Sequence, residues 1–212
     1  MRLLTFAAFG TLSGVAAGLS CAFLRLGDAG TIEIVGYCFG VKPTSTSACQ
    51  AIDGAFYLFP GLLFGVVFGP LLLWRGELHA TGAIAYAAAA TIANAAAVLL
   101  CVSLTHPLDD LLPFDNPIVE LALSGIAAGA AGAMLLGAAL RLLKPEIPQT
   151  ATIAIAAGLG VVTPAVIMFE RIGVFGFYII WQTGYAVALG MSLGRRTRAD
   201  LRPPSGAIFP TA

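Results

Sequence analysis

Charge is what this sequence has least of. Asp, Glu, Lys and Arg make up 10% of its 212 residues, where soluble domains carry about 25%. The 11 basic and 11 acidic residues cancel, so no net field draws a nucleic acid to it. Two histidines and four scattered cysteines leave little from which to build a metal site. The P-loop pattern is missing, and so is H-E-x-x-H. Ser13 and Ser124 have no histidine at their depth, and Asp109, Asp110 and Asp115 share one connector rather than converging inside a span. The longest polar stretch, 26–53, is too short for a soluble catalytic domain. These gaps argue against an enzyme: no catalytic residue, cofactor or metal is expected.

What the chain has instead is apolar length, at 58% hydrophobic residues. The stretch 61–74, GLLFGVVFGPLLLW, has no polar face at all. A membrane-crossing helix needs roughly 20 mostly apolar residues. Six stretches qualify: 3–24, 55–74, 80–104, 118–143, 150–169 and 173–193. The expectation is an all-α membrane protein, with one six-helix transmembrane domain over 1–194 and a basic, proline-containing tail over 195–212. The first run begins after Arg2 like a signal peptide, but it is too long and lacks an A-x-A site, so it reads as a retained helix.

Lysine and arginine set the orientation. One side carries Arg2, Arg75, Arg141, Lys144, Arg195, Arg196, Arg198 and Arg202; the other carries Arg25, Lys42 and Arg171. Both termini are therefore expected in the cytoplasm of a bacterial-type inner membrane. That places the loop 26–53 outside, where TIEIVGYCFG at 31–40 suits a short strand or hairpin. Cys38 and Cys49 lie in this loop, and in an oxidising compartment a structural disulfide between them is expected. They are not a C-x-x-C redox pair. Cys21 and Cys101 read as small packing residues.

Small residues at four-residue spacing mark helix contact faces in lipid. Gly10, Gly14 and Gly18 form one such face, Gly61, Gly65 and Gly69 a second, and Gly125 with Gly129 a third. Residues 12–18 read LSGVAAG and 123–129 read LSGIAAG. The second and fifth spans share GVV followed by proline, Pro70 and Pro164. Together these suggest a three-plus-three inverted repeat of the kind that builds secondary transporters, with helix breaks at Pro70 and Pro164.

Polar residues inside spans cost free energy unless partnered. Asn94, Gln182, Thr183, Tyr185 and Thr163 are expected either to line a polar cavity between spans two, three, five and six, or to bond neighbouring helices as glue. No ionised residue lies deep in a span, which argues against a coupled pump and for an uncharged solute. Glu120 reads as a helix N-terminal charge. The expected function is a facilitator or substrate-binding transport subunit for a small uncharged solute. The rival role is a non-transporting scaffold that binds partner helices, in another subunit or a second copy, through its glycine faces. The expected surroundings are the lipid bilayer and no nucleic acid.

Overall fold

The computed structural model describes residues 2–26, 47–111, 117–145, 150–163 and 170–200. These form six α-helices: α1 (Arg2–Leu26), α2 (Ser47–Trp74), α3 (Ala80–Leu111), α4 (Pro117–Leu143), α5 (Thr150–Leu159) and α6 (Glu170–Asp200). A 3₁₀ turn, Gly160–Val162, prolongs α5. No strand occurs among the described residues. Residues 31–40 and Cys38, where the hairpin and disulfide were expected, lie outside them, as does the side chain of Cys49. Cys21 is buried, and Cys101 is half-buried with its thiol 3.6 Å from the Ser124 hydroxyl.

Among the described residues, three helical segments are long and apolar enough to cross a membrane: Leu3–Cys21, Ala80–Cys101 and Ile118–Leu143. Leu58–Trp74 and Thr150–Val162 are shorter apolar helices. Large apolar side chains such as Leu4, Ile84 and Leu142 point outward, as suits a lipid-facing surface. Helix ends depart from the apolar boundaries. Residues 47–53 of the expected outer loop and 195–200 of the expected tail are helical, because backbone hydrogen bonding continues past the apolar stretch until something stops it.

The expected break at Pro70 is absent: α2 runs without interruption through both Pro60 and Pro70. Pro70 lies on the outward stripe with Leu62 and Val66, so its ring meets no neighbouring helix, and helices in lipid tolerate proline by local adjustment. At the other proline, α5 gives way to the 3₁₀ turn before Pro164, which is outside the described residues. Thr163 nevertheless keeps a right-handed helical conformation, with φ −53° and ψ −39°, although the residue before a proline disfavours it.

The helices neighbour one another in chain order, and α6 closes on α1, making a ring of six. Adjacent helices are antiparallel. A Cβ on Gly10, Gly14 or Gly18 would strike Ala186, Ile179 or Phe175 of α6. Gly61, Gly65 and Gly69 likewise meet Thr91, Ala87 and Ala83 of α3, and Gly125 and Gly129 meet Gly160 and Ala156 beyond and within α5. A Cβ at Gly14 would lie 2.6 Å from the Cα of Ile179, and one at Gly65 2.5 Å from the Cα of Ala87. Only glycine permits these backbones to come so close.

This ring corrects the expected inverted repeat. A two-fold axis across the bundle reverses the order of helices around it. A two-fold along the bundle preserves helix direction, whereas α1 and α4, three antiparallel steps apart, run oppositely. No two-fold therefore carries α1, α2 and α3 onto α4, α5 and α6. The matched segments confirm the mismatch: Gly14 packs on α6, and Gly125 on the turn after α5.

Candidate functional site

The middle of the ring is filled by aromatic side chains. Phe6 meets Phe68 with ring centroids 6.2 Å apart, and Phe68 stacks on Phe64 at 4.3 Å. Phe64 meets Tyr185 edge-on at 5.6 Å, and Tyr185 stacks on Trp181 at 5.7 Å. Phe6, Phe64, Phe68 and Tyr185 are all buried. The bundle is thus closed by a continuous column of rings drawn from α1, α2 and α6.

Against this packing, the five polar residues singled out by sequence do not converge on one cavity. Gln182 is buried and fully engaged. Its Oε1 accepts a hydrogen bond from the Ser13 hydroxyl, and its Nε2 donates to the Pro60 carbonyl at 3.1 Å. The amide therefore ties α6 to α1 and α2. Asn94 approaches α2 one residue further on, where a Cβ added to Gly61 would stand 2.6 Å from its own Cβ. Thr183 turns to the other side of α6, its hydroxyl 3.1 Å from that of exposed Thr11. Thr163 donates to the Gly160 carbonyl at 2.6 Å, closing its own 3₁₀ turn. Tyr185 belongs to the aromatic column. Thr152 and Ser192, 3.3 Å apart, add a further polar tie between α5 and α6.

Two kinds of unspent functionality remain. One is a set of buried groups without hydrogen-bond partners among the described residues: the hydroxyls of Tyr86 and Tyr185, and Oε1 of Glu120. Tyr86 on α3 and Tyr185 on α6 are fully buried and belong to one core cluster. A buried polar group left unbonded is costly, so this pair is a place where a hydrogen-bonding solute would be favoured.

The other is an open cleft of about 410 Å³ at one end of the ring, lined by Phe6, Trp74, Arg75, Glu77, Gly190, Leu193 and Gly194. The chain builds it from a helix stop. At the end of α2 the Gly76 N–H bonds the Leu73 carbonyl at 2.9 Å and the Glu77 N–H the Leu72 carbonyl at 2.8 Å. Gly76 has φ +68°. This is the Schellman pattern, in which a left-handed residue turns the chain and satisfies the last carbonyls. The turn throws Arg75 and Glu77 to the rim. Glu77 is ion-paired with Lys144 at the end of α4. Arg75 has no carboxylate partner among the described residues; its guanidinium lies over the Phe6 ring, 5.6 Å from the centroid. Phe6 is therefore both the floor of the cleft and the first ring of the column.

Sequence reasoning missed Pro60, Phe6 and the cleft. An arginine after a tryptophan at a span end reads as an interfacial anchor, and nothing local joins it to residues 6, 190 and 194. Among the described residues no three His, Cys, Asp or Glu side chains gather as a metal cluster. Comparison with protein-family models, curated proteins and solved structures gives no match.

Proposed function

We propose that the chain is a six-span inner-membrane protein that binds a small solute in the Arg75 cleft and passes it through the ring. The observation that carries this reading is an open cleft ending directly on a buried column of rings, with the unpartnered Tyr185 phenol at its far end. Phe6, Phe68 and Phe64 then form the closed barrier, and Tyr185 the first polar foothold past it. The lysine and arginine distribution supports a cytoplasmic position for both termini and for the cleft mouth. The reading moves the site away from the set Asn94, Gln182, Thr183 and Thr163, because the hydrogen bonds of Gln182, Thr183 and Thr163 serve contacts within the bundle. The reading assigns the protein no reaction chemistry.

The scaffold role has weaker support. It needs glycine faces free for partner helices, and those of α1, α2 and α4 are spent on α6, α3 and α5.

Proteoliposomes provide the test. Swelling is followed by stopped-flow light scattering with glycerol, urea, acetate and lactate, for the wild type, Phe68→Ala and protein-free vesicles. The reading expects at least one solute to enter faster than into empty vesicles, and faster still through Phe68→Ala. Rates equal to empty vesicles for both proteins, each shown folded by its helical circular dichroism, would overturn it.

A further inference from the structure

We infer that the cleft recognises a single negative charge carried on an apolar body, such as a monocarboxylate, with Arg75 as the residue that binds the anion. This deepens the reading of the cleft as a binding site and does not depend on passage through the ring.

Charge balance comes first. Among the described residues at this rim, the Glu77 carboxylate is neutralised by Lys144. Arg75 is left as one uncompensated positive charge in the wall of the cleft. That charge is matched by one carboxylate.

Geometry comes second. Arg75 lies over Phe6 with its guanidinium carbon 5.6 Å from the ring centroid, a cation–π contact that holds the group at the cleft wall. Arginine's fork then offers two parallel hydrogen bonds to a carboxylate. The contact with Phe6 also favours one placement of the side chain before the ligand arrives, which lowers the cost of ordering it.

The remaining walls are apolar. Phe6, Trp74 and Leu193 supply contact surface, while Gly190 and Gly194 supply width. A Cβ at Gly190 would come within 2.9 Å of the Phe6 ring, but one at Gly194 would meet nothing within 4 Å. Side-chain volume placed at residue 194 therefore enters open space next to the cleft. About 410 Å³ suits a compact organic anion, since ligand pockets run from about 300 to 1,000 Å³.

An apolar body bearing one negative charge also describes an anionic phospholipid, so the test separates the two sources. Purified protein in a neutral detergent is titrated with benzoate, and with benzyl alcohol as its uncharged counterpart. Binding is read by isothermal titration on the wild type and by Trp74 fluorescence in a Trp181→Phe background. Saturable benzoate binding is expected, at least tenfold tighter than that of benzyl alcohol. Arg75→Gln should weaken it at least tenfold, and Arg75→Lys should restore part of the loss. Gly194→Leu should abolish it without loss of helical signal. Phosphatidylglycerol added to the micelles distinguishes the source: competition assigns the cleft to a lipid headgroup, and its absence to a free anion, both within the proposed chemistry. Equal binding of benzoate and benzyl alcohol, unchanged binding in Arg75→Gln, or no saturable binding of either anion would overturn the inference. Benzoate binding without any solute flux would leave it standing and sink passage alone.

Discussion

Gln182 offers the sharpest test of what the buried polar residues are for. If it is interhelical glue, Gln182→Leu removes two hydrogen bonds, to Ser13 on α1 and to the Pro60 carbonyl on α2, and changes side-chain volume little. Interhelical bonds of this kind average about 0.6 kcal/mol and reach about 1.7. Leaving the buried Ser13 hydroxyl without its acceptor adds a penalty of about 1 kcal/mol or less, because a helical serine can turn back to the carbonyl four residues before it. The expected loss for Gln182→Leu is therefore about 1–2 kcal/mol. Ser13→Ala alone should cost about 0.5–1 kcal/mol. In the double variant the shared bond is counted once, so the coupling should be about 0.6–1 kcal/mol. The assay is reversible unfolding in mixed detergent–SDS micelles, followed by far-UV circular dichroism. Coupling below about 0.3 kcal/mol, the usual additivity error, would refute the bond as a structural tie. A fall in solute flux with unchanged stability would refute the assignment more strongly, because it would make Gln182 a solute ligand.

The same unfolding assay checks the glycine faces and the helix stop. Gly65→Val should cost about 1–3 kcal/mol by overpacking, since even its Cβ would stand 2.8 Å from the Ala87 carbonyl oxygen. Gly158→Ala, with nothing within 4 Å, should be neutral or stabilise by up to about 1 kcal/mol through helix propensity. Gly76→Ala should cost about 1–2 kcal/mol, because only its φ of +68° is disturbed and no contact is made or lost. Tyr86→Phe and Tyr185→Phe should leave stability equal or higher, since each removes an unbonded hydroxyl, while lowering flux in the proteoliposome assay. A large destabilisation of either would mean that the hydroxyls are bonded in the fold and hold no place for a solute.

Much of the helix layout was legible because its signals are local. Apolar length marked where the helices run, and four-residue glycine spacing marked the faces of α1, α2 and α4. The partners of those faces were not legible. LSGVAAG and LSGIAAG answer the same demand, close approach of another backbone, and that demand says nothing about which backbone. The likeness was therefore real as packing chemistry and misleading as symmetry. Pro70 misled for a related reason. Composition places a proline in an apolar run, but only the fold shows that residue 70 faces outward, where its ring disturbs nothing. Of the five candidate site residues, Gln182 and Tyr185 are buried, while Asn94, Thr163 and Thr183 are half-buried. What they bond to depended on residues far away in the chain: Ser13 and Pro60 for Gln182, and Thr11 for Thr183. The cleft draws on residues 6, 74–77 and 190–194, three stretches that become neighbours only when α6 closes the ring on α1.

That closure also narrows where function can reside. A polar or small residue already engaged by its own fold has nothing left to offer a solute or a partner. By this test the glycine faces of α1, α2 and α4 are spent, as are Gln182, Thr152 with Ser192, and Thr163. Glu77 is spent on Lys144. Among the described residues, Arg75 and the hydroxyls of Tyr86 and Tyr185 are what remain near the axis, and the Phe6, Phe68 and Phe64 rings lie between the cleft and Tyr185. A span-end arginine serves a structural bundle as an interfacial anchor, but an unbonded phenol in the core carries a cost that apolar packing would avoid. The tyrosine hydroxyls, more than Arg75, are therefore the groups whose removal separates a solute path from a purely structural bundle.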